Sequence, residues 1–192
     1  MKPVVDSQPC QVPGAAALAE RVHALQDFYR HVQTERMQGV PLLNRALEVQ
    51  ALGFAWLPGT GHEPAVAEGV LITPWFMSLL RLPAPVQGHE GRVGLKHLHP
   101  FGNQSFEFIG AHDPTLGFHE ACALFSPMGA FADQQQAVDT AAAVLAQLRA
   151  VPAQAAATTA AAEPMPLPMP APLPSRRAFF AGRRSEAERA RP

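Results

Sequence analysis

Gly69-Val70-Leu71-Ile72-Thr73-Pro74-Trp75-Phe76-Met77-Ser78-Leu79-Leu80 is the densest apolar run in this 192-residue chain and holds one of its two tryptophans. It is too short to span a bilayer, which takes about 20 apolar residues. Val70 to Thr73 reads as a strand that Pro74 ends, because proline brings no N–H to a ladder and pushes the residue before it into an extended conformation. The aromatic pair Trp75-Phe76 therefore follows a forced break. Two readings stand at this point. The run is either a buried strand continuing into a second apolar segment of the core, or a partly exposed apolar binding surface.

On the N-terminal side, Leu18, Val22, Leu25, Tyr29 and Val32 recur in steps of four and three, which places them on one stripe of a helix over residues 15–37. Gly39 and Pro41 stop that helix. From Pro41 to about Pro127 the period changes to short runs of Val, Leu, Ile and Phe separated by Gly and Pro, the pattern of strands and turns. Residues 47–52 alternate with period two, Pro58-Gly59-Thr60-Gly61 makes a turn, and Ala67 to Thr73 is the returning strand. Further strands are predicted over 92–98, 105–110 and 120–125. The links between them are too short for crossover helices, so the pairing is antiparallel. A second helix starts after Asp133, with Gln136 placed to complete a capping box, and Val138, Ala141, Ala142, Leu145 and Leu148 on its buried stripe. The expected fold is α+β: an antiparallel sheet of about four to five strands flanked by an N-terminal and a C-terminal helix, both packed on one sheet face.

The expected organisation is a flexible N-terminus over 1–14, a domain over 15–150, a Pro/Ala-rich linker over 151–174 and a basic tail over 175–192. The linker holds seven of the chain's 20 prolines. Residues 164–174 alone reach about 30 Å where extended as polyproline. The tail carries Arg176, Arg177, Arg183, Arg184, Arg189 and Arg191 against Glu186 and Glu188, a charge of +4; the net charge of −1 leaves −5 for the rest. An acidic body does not suit nucleic acid, whose phosphates need a basic face. With two cysteines, Cys10 and Cys122, there is no disulfide framework or zinc-finger spacing. The first residues lack the apolar core of a secretory signal, and the expected location is the cytoplasm.

Chemistry-bearing residues are scattered. His89, His97, His99, His112, His119 and Cys122 are candidate nickel or zinc ligands, and His97-x-His99 can present both rings on one strand face, but zinc and nickel sites need three or four ligands that converge. The alternative is ordinary turn and strand histidines. No nucleophile elbow, P-loop, dinucleotide-binding glycine pattern or HExxH occurs, so no enzyme is expected. Ser175-Arg176-Arg177-Ala178-Phe179-Phe180 is similar to the S-R-R-x-F-L core of a twin-arginine export signal. Gly182-Arg183-Arg184 stands where such a signal needs an apolar stretch, and a plain solvated basic tail is the other reading.

Two segments carry a resemblance to a known family. Leu71-Ile72-Thr73-Pro74-Trp75-Phe76-Met77-Ser78-Leu79 and Cys122-Ala123-Leu124-Phe125-Ser126-Pro127-Met128, with Phe101-Gly102, Phe106 and Phe131, resemble the HybE-type, or HupJ-type, assembly chaperones of [NiFe] hydrogenases over about residues 15–150. Ser78 and Ala123 depart from the family, which often has asparagine and serine there. The resemblance implies a cytoplasmic, non-enzymatic chaperone without cofactor. Its implied partner is the hydrogenase small-subunit precursor, whose export it delays through the twin-arginine signal, with other maturation factors as further partners. The paired CxxC motifs of rubredoxin-fused relatives are absent, so iron binding does not carry over. The client-binding residues implied are Pro74, Trp75, Phe76, Met77, Leu80, Phe125, Pro127 and Met128, whose aromatic and thioether side chains suit a reversible apolar contact. The tail residues Ser175, Arg176, Arg177, Phe179 and Phe180 are then expected to imitate the client signal. A metal carrier for hydrogenase maturation, binding nickel or zinc, is the alternative.

Overall fold

The computed structural model describes residues 12–59, 64–84 and 91–150. The elements run α1 (Ala15–Glu35), β1 (Gln50–Leu57), β2 (Val66–Ile72), β3 (Met77–Pro83), β4 (Lys96–Phe101), β5 (Gln104–Asp113), β6 (Gly117–Phe125) and α2 (Gln134–Arg149). The six strands form one antiparallel sheet in the order β1-β2-β3-β6-β5-β4. The α+β class with two flanking helices is as expected, and the sheet has one strand more than expected.

The added strand is β3. Pro74 does end β2, but the chain reverses within four residues and Ile72 pairs with Met77, so both halves of the apolar run are central strands of the same sheet. Every residue of β2 and β3 is buried. That explains the absence of alternation in the run, since a strand covered on both faces has no solvent side on which to place polar residues.

The helices lie on opposite faces of the sheet, not on one as the sequence suggested. Val70, Ile72, Met77 and Leu79 pack with Ala137, Ala141, Leu145 and Leu148 of α2, whereas Ala67, Leu71, Leu80 and Leu82 pack with Leu25 and its neighbours on α1. Alternate residues of a strand point to opposite faces, so the two clusters are two separate cores sharing the central strands. Arg21 fixes α1 in place. It is buried, its guanidinium donates to Leu116 O at 2.8 Å and Pro83 O at 3.4 Å, and burial lowers its pKa.

Two strand boundaries differ from expectation. Leu47 and Val49 are buried as their alternation predicted, but Leu47 N bonds Asn44 O and Glu48 N bonds Gln134 Oε1, so β1 joins the ladder only at Gln50. Likewise residues 91–94 form a turn, and β4 starts at Lys96. At α2, Asp133 accepts from Gln136 N at 2.8 Å, and Gln136 Oε1 accepts from Ala132 N, one residue before the cap. The other end is capped by the β4–β5 turn. Asn103 donates from its backbone to Leu148 O and from its side chain to Gln147 O and Ala150 O, covering carbonyls that a helix end leaves open.

Candidate functional site

The turn between β2 and β3 is built by Thr73. Its Oγ1 accepts from Phe76 N at 2.9 Å and Trp75 N at 3.3 Å and donates to Phe76 O, while Thr73 N also donates to Phe76 O at 2.8 Å. A hydroxyl that satisfies the turn's own N–H groups holds Pro74-Trp75 rigidly at the hairpin tip. The segment after β6 comes to the same end of the sheet, because Met77 pairs with Phe125, and Ser126 Oγ donates to Trp75 O at 3.4 Å. The Ser126–Pro127 bond is cis. The two segments singled out in the sequence, some 50 positions apart, are thus neighbours.

Asn44 fastens them together. Its backbone N donates to Pro74 O at 2.9 Å, and its side-chain amide donates to Met128 O at 3.0 Å and Phe131 O at 2.7 Å. Its Oδ1 accepts from Ala46 N at 3.0 Å, which settles the orientation of the amide. Sequence reasoning passed over Asn44, since a single asparagine between apolar neighbours looks like any loop residue.

The eight residues of the apolar site divide by depth. Phe125 is 39% exposed, Pro127 is exposed, and Trp75 and Phe76 are half-buried. Pro74 is buried, and Met77, Leu80 and Met128 are fully buried. Met77 and Met128 sit in the α2-side core and Leu80 in the α1-side core. Around the tip the rings interlock edge to face: Trp75 to Phe76 at 5.6 Å, Tyr29 of α1 to Phe76 at 5.4 Å, and Phe125 to Phe131 at 5.3 Å. Burial, helped by the charge of Asp113, pushes the Tyr29 phenol up to about 12. The tail residues Ser175, Arg176, Arg177, Phe179 and Phe180 lie outside the described residues.

A second constellation lies further along the same strands. Glu68, Arg81 and Glu120 stand on adjacent strands and are all buried. Arg81 pairs with Glu68 at 3.1 Å and with Glu120 at 3.5 Å, and Arg92 donates to Glu120 Oε1 at 3.0 Å. Burial, with the charge of Glu120 adding, pushes Glu68 up to about 7 against the opposing pull of Arg81 and Arg149. The sequence signal was a charged residue inside each of three apolar strands.

His97 and His99 present their rings together, as the His-x-His spacing predicted, and both approach Glu120 Oε1, at 3.8 and 3.1 Å. Arg92 occupies the same oxygen. His119 is instead buried beside Phe28 of α1, with Nδ1 on Gly117 O and its pKa lowered by that burial. Cys122 packs against the α2-side core, where burial raises its pKa, His112 is exposed on β5, and His89 lies outside the described residues. Among the described residues the five remaining candidates do not converge on one point, and no group of three or more His, Cys, Asp or Glu is placed to hold a metal ion.

With the geometry of the apolar end established, comparison with known proteins identifies the family. Residues 20–182 match the one described as "[NiFe]-hydrogenase assembly, chaperone, HybE". The chain belongs to this family. Protein HoxT of Cupriavidus necator is 41% identical over 143 residues, which are 71% of this chain and 80% of that protein. "Probable rubredoxin HupJ" of Rhodobacter capsulatus is 39% identical over 143 residues, again 71% of this chain but 49% of the relative, so the chain spans about half of its length. The solution structure of HybE from Escherichia coli matches with a TM-score of 0.53 and 16% identity, over 79% of this chain and 91% of that one, a likeness of fold. The HybE-family match takes in both converging segments and runs on past the arginine pair Arg176-Arg177. No described helix is long and apolar enough to cross a membrane.

Proposed function

We propose that this HybE-family chaperone binds the small-subunit precursor of a [NiFe] hydrogenase at its twin-arginine signal and delays export until assembly is complete. The observation that carries this reading is the convergence of Trp75-Phe76 and Phe125-Pro127 at one end of the sheet. There, apolar side chains reach the surface on a backbone fastened by Thr73, Asn44 and Ser126. A holding chaperone needs such a surface: apolar enough to take the hydrophobic stretch of a signal, and pre-ordered, so that little entropy is lost on binding. Trp75, Phe76, Phe125 and Pro127 make the contact, while Pro74, Met77, Leu80 and Met128 lie behind them and set their positions. The acidic body favours encounter with the basic start of a signal. Since the signal is present only before export, the place of action is the cytoplasm.

The test is a pull-down of precursor by the full chain, with and without the precursor's signal, repeated with Trp75→Ala. The half-buried Trp75 can be removed without opening either core, so the variant should keep its cooperative unfolding and lose most of the precursor. Undiminished capture by Trp75→Ala, or equal capture of precursor lacking its signal, contradicts the proposal.

A further inference from the structure

Arg92 is the outermost member of the buried ion cluster. Its guanidinium donates to Glu120 Oε1 at 3.0 Å and lies 5.2 Å from the centre of the Phe118 ring. Glu120 and Phe118 are each 2% exposed, whereas the Arg92 side chain is 38% exposed. A buried carboxylate and a buried ring thus form a fixed slot, and a surface guanidinium fills it. This pair of features favours arginine over lysine, because a guanidinium can donate one N–H to Glu120 Oε1 while its delocalised charge lies over the ring, whereas an ammonium is a compact, strongly hydrated point charge. Beside Arg92 a cleft lined by Pro64, Val66, Pro83 and His99 leads to solvent. The Arg92 backbone is anchored through Leu95 N, so vacating the slot takes only a rotation of its side chain.

We infer that this slot is a binding site for an arginine side chain of a partner peptide, and that Arg92 is the resident occupant which the partner displaces. One guanidinium leaves as the other arrives, so Glu120, which keeps Arg81 at 3.5 Å on its other oxygen, faces the same two guanidinium charges before and after the exchange. The inference rests on the proposed function only for the source of the arginine, the twin-arginine segment of a signal. Glu120 and Phe125 share strand β6 and pair with Arg81 and Met77, four residues apart on β3, which is about 14 Å at the rise of a strand. An extended peptide covers that distance in about four residues, so one segment can seat an arginine here and place apolar residues at the Trp75-Phe125 end.

The experiment titrates the blocked dipeptides acetyl-Arg-Arg-amide and acetyl-Lys-Lys-amide into the full-length Arg92→Ala chain, followed by NMR at the amides of Phe118 and Glu120. The arginine dipeptide should give saturable shifts and the lysine dipeptide none. Binding should be about tenfold tighter than to the wild-type chain, where Arg92 competes. No saturable shift, equal shifts with lysine, or equal affinity for both chains overturns the inference. Should Arg92→Ala not fold, Arg92→Lys keeps the cation beside Glu120 but loses the guanidinium, and it too should bind the arginine dipeptide more tightly than wild type. The dipeptides carry no apolar stretch. Dipeptide binding without precursor binding therefore refutes the proposed function and leaves the slot standing, and precursor binding without dipeptide binding refutes the slot.

Discussion

Asn44→Ala removes the clamp between the two halves of the apolar end without touching a ring. Three side-chain hydrogen bonds are lost: those to Met128 O and Phe131 O, and the one accepted from Ala46 N. The Ala46 N–H is exposed and turns to water, so its bond contributes little. The two carbonyls belong to a partly buried segment and each lost bond costs about 1 kcal/mol, giving about 2 kcal/mol in all. Asn44→Asp sharpens the test. It keeps the size and the acceptor for Ala46 N but sets a carboxylate oxygen against two carbonyl oxygens, so it should destabilise by more than alanine does. Urea unfolding at pH 7, followed by tryptophan fluorescence, measures both. An Asn44→Ala variant within about 0.5 kcal/mol of wild type, or an Asn44→Asp variant more stable than Asn44→Ala, would show that the amide does not hold the two segments together. Precursor capture provides the functional half, because a loosened 126–131 segment no longer holds Phe125 and Pro127 beside Trp75.

Two further perturbations probe the sheet. Glu68 has its folded pKa raised from 4.5 to about 7, chiefly by burial, so the folded state holds a proton that the unfolded state has released. Between those values the unfolded chain binds fewer protons and stability falls as pH rises: the contribution is full below about pH 4.5 and lost above about pH 7, at most roughly 3 kcal/mol. Glu68→Gln should flatten this decline in urea titrations from pH 4.5 to 8, and an unaltered slope in the variant would mean that Glu68 is not its source. In the β4–β5 turn, Gly102 has φ +61°, and a Cβ there would run into Leu148 O at the end of α2. Gly102→Ala should therefore cost more than the roughly 1 kcal/mol of a left-handed alanine, seen as a lower urea midpoint; an unchanged midpoint excludes close packing of this turn on α2.

Local pattern accounts for much of what was legible. The spacing of Leu18, Leu25 and Tyr29 and the Asp133–Gln136 cap signal located both helices, because helix periodicity and capping depend on residues within a few positions of one another. The two segments of the apolar end also stood out, by composition and by resemblance. What failed was the strand count at Thr73-Pro74-Trp75-Phe76. The turn depends on the Thr73 hydroxyl closing on its neighbours, and an uninterrupted apolar run gave no sign of where one buried strand stopped and the next began.

By itself the sequence determined the element types and the antiparallel character of the sheet, since each follows from local periodicity or link length. Only the tertiary structure decided that α1 and α2 cover opposite faces, that Met77 pairs with Phe125, that Asn44 joins the hairpin tip to the 126–131 segment, and that Glu120 gathers Arg81, Arg92, His97 and His99. Those are contacts across distant positions, set by which faces must be covered and which buried charges must find partners, and no local pattern encodes them. The division within the apolar site has the same origin. Met77 and Phe76 are adjacent and similar in character, yet the pleat turns one into the core beneath α2 and the other towards Tyr29, beside the half-buried Trp75.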